Sequence, residues 1–464
     1  MIRGRPILGV LAALAVLAGA VAADRLDRPG RPAALAAAEP PGGPTMAPAS
    51  ATSAAWYCPG GPLATLDQAD VTISLANTTA RVVSARLTAL PAAGTGDPVE
   101  RMVQVPALGS TDVRLAEVLD EDQPAGASIV GPGGLVAQQS IKTPEGAAVG
   151  PCASSASDRW YTAAGSTAAG STLLIPLLNP FPDDAIVGLT FSTDDGRAVP
   201  GDLQGLVVPG RTVRVVDIGN HVRRRDAVAA EVTARRGRIV VGRNFRKGTG
   251  SSTALAAPSP APIWYLPAGV RAEGTTNRLV VANPSEQDAQ VNVEIRLQEG
   301  AVQPLALDVP ALGRAELNLD DASVPRGVPY SIAARSAEDV PVVVERSTES
   351  RAGRSDVLGG RDPDRAWVAV ASGPRGQDTL AVYNASDTQG EVTVSALNGD
   401  GAPVTTDPLR VEPGARATFR LDDKPAARGS AVLVESSQLL VVERYSGDGG
   451  PTQGGAVAAA LARR

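Results

Sequence analysis

The sequence predicts an all-β chain of four tandem antiparallel β-sandwiches of immunoglobulin-like kind, each of about 100 residues, behind an N-terminal apolar segment. The first observation is a period. The four tryptophans, Trp56, Trp160, Trp264 and Trp367, are separated by 104, 104 and 103 residues, and self-similarity at a fixed spacing marks repeated units. The second is that other landmarks keep step. An asparagine follows each Trp in an apolar run (Asn77, Asn179, Asn283, Asn384), then a turn ending at Gly109, Gly210, Gly313 or Gly414, then a valine-rich run closing at Gln139, Arg243, Arg346 or Arg444. The third is strand periodicity within a copy, as in Val291, Val293, Ile295 and Leu297. Turn residues punctuate these short runs, and no helical run of useful length appears beyond the N-terminus. A propeller would repeat at about 40 to 50 residues, half the period found.

Taken in order, residues 1–23 carry Arg3 and Arg5 ahead of an uncharged apolar stretch from Pro6 to Ala23. This reads as an export signal with a small-x-small site at Ala20-Val21-Ala22, and its length also suits a retained membrane anchor. Residues 24–55, rich in Ala, Pro, Ser, Thr and Gly without periodicity, read as a disordered tether. The copies then span 56–159, 160–263, 264–366 and 367–464. In copy three, seven strands are expected: Trp264 to Gly269, Arg278 to Asn283, Gln290 to Gln298, Leu305 to Val309, Arg314 to Leu319, Tyr330 to Arg335 and Val340 to Arg346. The polar tract from each closing residue to the next Trp is a linker or a final hairpin. Its constant length of 21 residues favours a structured role.

Composition narrows the function. Aromatics make up 3% of the chain, so sugar-stacking or base-stacking surfaces are scarce. Net charge is -6, which speaks against nucleic acid as a partner. Cys58 and Cys152 are the two cysteines; an even count in an exported chain predicts a disulfide between them. With one histidine and no further Cys, a zinc site is not expected.

Several residues are of types that could carry chemistry. His221, the single histidine, would have to serve any Ser-His-Asp device, but no G-x-S-x-G motif accompanies it and a surface loop is the simpler reading. The acidic runs Asp120-Glu121-Asp122, Asp320-Asp321 and Asp422-Asp423 could bind calcium or act as glycosidase carboxylates; they are also ordinary turn formers. Glu345-Arg346 and Glu443-Arg444 end their strands and suggest a sheet-end or cross-strand ion pair of a few tenths of a kcal/mol. Arg223 to Arg225, with Arg235, Arg236 and Arg238, make copy two locally basic and could meet an anionic polymer or lipid. The Trp and Asn landmarks are expected to be packing framework.

The WYLPAG, LVVANPS and VVVERST segments of copy three resemble the W-Y-x-x-E-G, L-x-x-x-N-P and V-V-x-E-R pattern of a repeat in exported actinobacterial proteins. With signal, tether and repeats together, the chain resembles the DUF5719 family. Copy one departs from the pattern, with Cys58-Pro59-Gly60-Gly61 after its Trp and Gln138-Gln139 in place of Glu-Arg. The resemblance implies location and architecture, and no catalytic residue. The expectation is therefore a non-enzymatic, cofactor-free envelope protein, secreted or anchored, acting as a scaffold or binding module toward an envelope protein or glycopolymer. An accessory role in surface glycopolymer assembly is the alternative, and an extracytoplasmic hydrolase the rival class.

Overall fold

Alternation along the third strand of copy three becomes a two-faced strand. Val291, Val293 and Ile295 are buried while Gln290, Asn292 and Glu294 are exposed, because successive side chains leave a strand on opposite faces. The protein is seen here as a computed structural model that describes residues 43–61, 70–119, 125–143, 146–248, 250–350, 353–370, 377–399, 403–423, 429–447, 453–457 and 459–461. The expected export signal, the expected tether before residue 43 and the acidic run at 120–122 lie outside the described residues. Among those described, the chain is almost wholly antiparallel strand, and no helix is long and apolar enough to cross a membrane.

Copy three has eight strands: Ile263–Val270, Thr276–Asn283, Ala289–Leu297, Leu305–Val309, Gly313–Asn318, Pro329–Ser336, Val343–Ser350 and Gly353–Leu358. The first seven match the expected runs within a few residues. The eighth comes from the polar tract before the next Trp, which folds back on the closing strand as a hairpin. One sheet has the order first-sixth-third-fourth, the other fifth-second-seventh-eighth, and both contribute to one apolar cluster.

The same two orders recur in the other three copies, except that in copy four the sixth and seventh strands run together as Ala431–Gly447 and join the sheets. In an immunoglobulin domain the first and second strands share a sheet and the seventh joins the third and sixth. Here the first strand lies beside the sixth, the fourth beside the third and the seventh beside the second, so these three strands have changed sides relative to the expected plan.

Residues 43–55, expected to belong to a disordered tether, are ordered. Thr45–Met46 forms a short strand, Met46 is buried in the cluster of copy one, and Gly133 and Gly134 donate to the carbonyls of Ala51 and Ala47. The polar, proline-broken composition hid this, since the segment is held by its neighbours rather than by periodicity of its own.

Residues 41–464 form one compact unit, and the way the copies adjoin explains it. Each Trp points into its own copy, so the next residue points out, and it enters the apolar cluster of the following copy. Tyr57 does so for copy two, Tyr161 for copy three, Tyr265 for copy four and Val368 for copy one. The eighth strands, Gly146–Pro151, Gly250–Leu255, Gly353–Leu358 and Gln453–Val457, pack side by side in a cycle that returns from the last to the first. Thr45–Met46 pairs in parallel with Ala459–Leu461, which also pairs with the strand of Trp367. The four copies therefore close into a ring.

An isolated fragment of residues 365–464 would seem self-sufficient by length alone. In the ring, however, its strand residues Val368 and Val370 are buried in copy one and its Tyr383 lies against Tyr265 of copy three, with ring centroids 5.3 Å apart. The fragment is expected to melt well below the intact chain and to bind a hydrophobic dye that the intact chain does not; calorimetry and dye fluorescence check this.

Candidate functional site

The repeated landmarks hold local structure. Each Trp indole N–H donates to a carbonyl of the closing strand or its threshold: Trp56 to Leu135 at 2.8 Å, Trp160 to Ile239 at 2.9 Å, Trp264 to Val342 at 2.8 Å and Trp367 to Leu440 at 3.0 Å. All four rings are buried. Each Asn side chain ties the loop after its strand to the end of the fourth strand. Asn283 Nδ2 donates to the carbonyls of Gln287 and Val309 while its Oδ1 accepts from Ser285 N–H. Asn77, Asn179 and Asn384 repeat the arrangement. A buried amide with its donors and acceptor so satisfied is a clamp, and it leaves little free for a ligand.

The Glu-Arg pairs work differently from the expected local ion pair. Adjacent strand residues face opposite ways, so Glu345 and Arg346 turn from each other and each reaches a neighbouring copy. Arg243 of copy two pairs with Glu345 of copy three. Arg346 of copy three pairs with Glu443 of copy four, Nη2 to Oε1 at 2.5 Å and Nη1 to Oε2 at 3.3 Å. Each carboxylate also accepts a backbone bond from the earlier copy: Ala163 N–H donates to Glu345 Oε1 at 2.7 Å and Ala268 N–H to Glu443 Oε2 at 3.1 Å. These four side chains are at most 2% exposed. They are therefore buried junction pairs, for which losing one partner costs far more than the few tenths expected of a surface pair.

The departures of copy one and copy two complement each other. Copy one ends in Gln139, whose Oε1 accepts from Gly60 N–H at 2.8 Å, so it offers no cation to the next copy. Copy two correspondingly has Gly242 where copies three and four have glutamate. A Cβ there would come within 2.8 Å of the Pro59 ring. Arg444, by contrast, is held within its own copy. Asp378 of its own copy receives it in a bidentate pair at 2.9 and 2.5 Å, with further bonds to the carbonyls of Ala369 and Ser430. Cys58 and Cys152 are bonded to each other and tie the first strand of copy one to the end of its eighth.

Where the eighth strands end, an apolar cavity opens, with about 810 Å³ of empty space including its mouth. Its wall draws on Pro44 of the N-terminal strand, Pro151 of copy one, Leu255 of copy two, Leu358 of copy three and the two tryptophans Trp160 and Trp367. Asp356 is its buried acid. Burial would raise this carboxyl, but Arg354, Arg243 and the Ser252 hydroxyl outweigh that and hold it below the usual carboxylate range. Arg354 grips it through Nε at 2.8 Å and Nη2 at 2.7 Å, and stacks over Phe245 of copy two at 4.3 Å. The arrangement can hold an apolar group; its charges are engaged in binding copy two to copy three.

The remaining candidates are dispersed. His221 Nδ1 lies 2.7 Å from the exposed Asp202 carboxylate, at the surface. Asp320 accepts from Asn277, Asp321 from Asn318 and Asp422 from Arg420, all in turns. Among the described residues no group of three or more His, Cys, Asp or Glu side chains could hold a metal. The arginines of copy two do not form one patch: Arg223 to Arg225 precede the strand Val228–Arg236, whereas Arg235, Arg236 and Arg238 sit at its far end. Arg225 is further engaged by Asp195 at 2.6 Å.

Two outcomes are expected. Glu443→Gln, which strands Arg346, should cost about 3 to 5 kcal/mol in urea unfolding, whereas Arg346→Met with Glu443→Leu should come close to the parent chain. For Asp356 the folded pKa is depressed, so its contribution is present above the unfolded value of about 4 and lost as pH falls through the folded one. The stability difference between the parent chain and Asp356→Asn should therefore be full at neutral pH and shrink below about pH 4.

No curated protein sequence matches the chain. Three solved structures show slight likeness. Thermotoga maritima 1070 is 22% identical over 22% of this chain and 93% of its own, with a TM-score of 0.20. The Anabaena sensory rhodopsin transducer is 24% identical over 18% and 90%, at 0.17. A tetra-tandem repeat in the extending region of a large adhesion protein is 13% identical over 85% and 97%, at 0.12. At such scores none speaks to activity. The model of a family of unknown function matches residues 125–422, more than half of the sequence and reaching into all four copies, and the chain belongs to that family, DUF5719.

Proposed function

We propose that this chain is a non-enzymatic, exported scaffold of the cell envelope, in which four sandwiches of immunoglobulin-like size, in copies 56–159, 160–263, 264–366 and 367–464, form a ring. The observation that carries this reading is where the polar framework is spent. Trp, Asn, Glu and Arg of the repeat all serve packing within a copy or the joint between copies, and the one histidine pairs with an exposed aspartate. Partner recognition then falls to the outer turns and to the apolar cavity where the eighth strands end.

A protein partner is favoured over a glycopolymer. Every described Phe, Tyr and Trp is buried or only partly exposed, so no open aromatic platform is offered to a sugar ring. The accessory role in glycopolymer assembly then rests on holding proteins together rather than on gripping the polymer. Complementation of a gene deletion tests the reading. His221→Ala and Asp202→Asn in the full chain should each restore the parental envelope phenotype completely. Loss of complementation by either, with circular dichroism unchanged, would sink the scaffold reading in favour of the hydrolase.

A further inference from the structure

We propose that the joint between copy four and copy one is a latch, and that when it opens the freed surfaces take a second copy of this chain. Three joints of the ring are spanned by continuous backbone. The fourth is closed by noncovalent contacts: Thr45–Met46 with Ala459–Leu461, the strand Gln453–Val457 against Gly146–Pro151, Gly399 N–H to the Leu108 carbonyl at 2.7 Å, and Val368, Val370, Leu397 and Ala431 seated in the cluster of copy one. Its geometry matches the internal joints. Copy one meets copy two through Ala93 N–H to the Val213 carbonyl, and copy two meets copy three through the Ser192 hydroxyl to the Leu312 carbonyl.

Charge sets which surfaces can exchange. The face of copy three carries Glu345 and needs Arg243; that of copy four carries Glu443 and needs Arg346. Seating either face on a different neighbour would bury a carboxylate without its cation, a severe penalty. The end of copy four makes no such demand, since Arg444 is satisfied by Asp378 inside its own copy, and copy one carries the neutral Gln138 at the glutamate position. The joint between copies one and two also lacks the pair but is spanned by backbone, so the fourth joint is the one with neither a buried charge pair nor a connecting chain across it. Its two surfaces differ from one another, so exchange is head-to-tail, from the fourth copy of one molecule to the first copy of the next.

The experiment uses cysteine pairs across this joint in the full exported chain. An ideal Cβ on Gly109 lies 3.0 Å from Gly399 Cα, while Cys58 and Cys152 are already committed to each other. Gly109→Cys with Gly399→Cys in one chain should oxidise to an intramolecular link, seen as a faster-migrating monomer on a nonreducing gel. Equal mixtures of the two single variants, warmed below the melting point and then oxidised, should yield a cross-linked heterodimer that increases with protein concentration. As a second arm, Val368→Lys, which removes a contact that the closed and exchanged forms share, should abolish the heterodimer cross-link, while Tyr265→Lys at the equivalent site of an internal joint should leave it. An intramolecular link with no heterodimer at any concentration would overturn the exchange. Failure of the double variant to link within one chain would overturn the closed joint itself.

Discussion

A strand shows alternate side chains to opposite faces, and this one constraint organises the whole molecule. It sends Trp264 into its own copy and Tyr265 into the next, and it turns Glu345 toward the copy before while Arg346 reaches the copy after. Two neighbouring residues at either edge of a copy are thus enough to bind it on both sides. Because the bonding groups are buried and charged, the cost of a mismatch is high, and the order of copies is fixed by more than the connecting backbone.

The backbone takes part in the same joints. The turn that opens the fifth strand holds Leu108, Arg211, Leu312 and Gly414 in the left-handed region, three of them with side chains that disfavour it. The strain has a use at this position: the carbonyls of Leu108 and Leu312 accept bonds from the preceding copy in the ring. Gly242 is a second case in which the absence of a side chain matters, since it lets Pro59 sit where a carboxylate would otherwise stand.

Much of the fold was legible in the sequence. Trp spacing marked the copies and alternation marked seven strands of copy three, because both patterns come from local geometry. What escaped was the pairing between copies. Arg243 and Glu345 are 102 residues apart and Arg346 and Glu443 are 97 apart, so the eye joins each Glu to the Arg beside it, the one residue it cannot face. Gln139 and Gly242 could have betrayed the rule, since a missing cation in one copy is matched by a missing carboxylate in the next. The order of residues 43–55 was hidden for another reason: its backbone bonds go to Gly133 and Gly134, far along the chain.

The ring also sets a timetable. A chain synthesised from its N-terminus makes the face of copy one first, yet Val368, Val370 and Leu397, which cover that face, arrive last. The equivalent face of each later copy meets a neighbour already made, as Tyr57 meets copy two and Tyr161 copy three, whereas copy one waits for almost the entire chain with apolar surface open to stray association. It is this copy that holds the disulfide, closing a loop of 94 residues and able to persist while the rest is still being made. The cross-link thus stands where the delay between making a surface and covering it is longest.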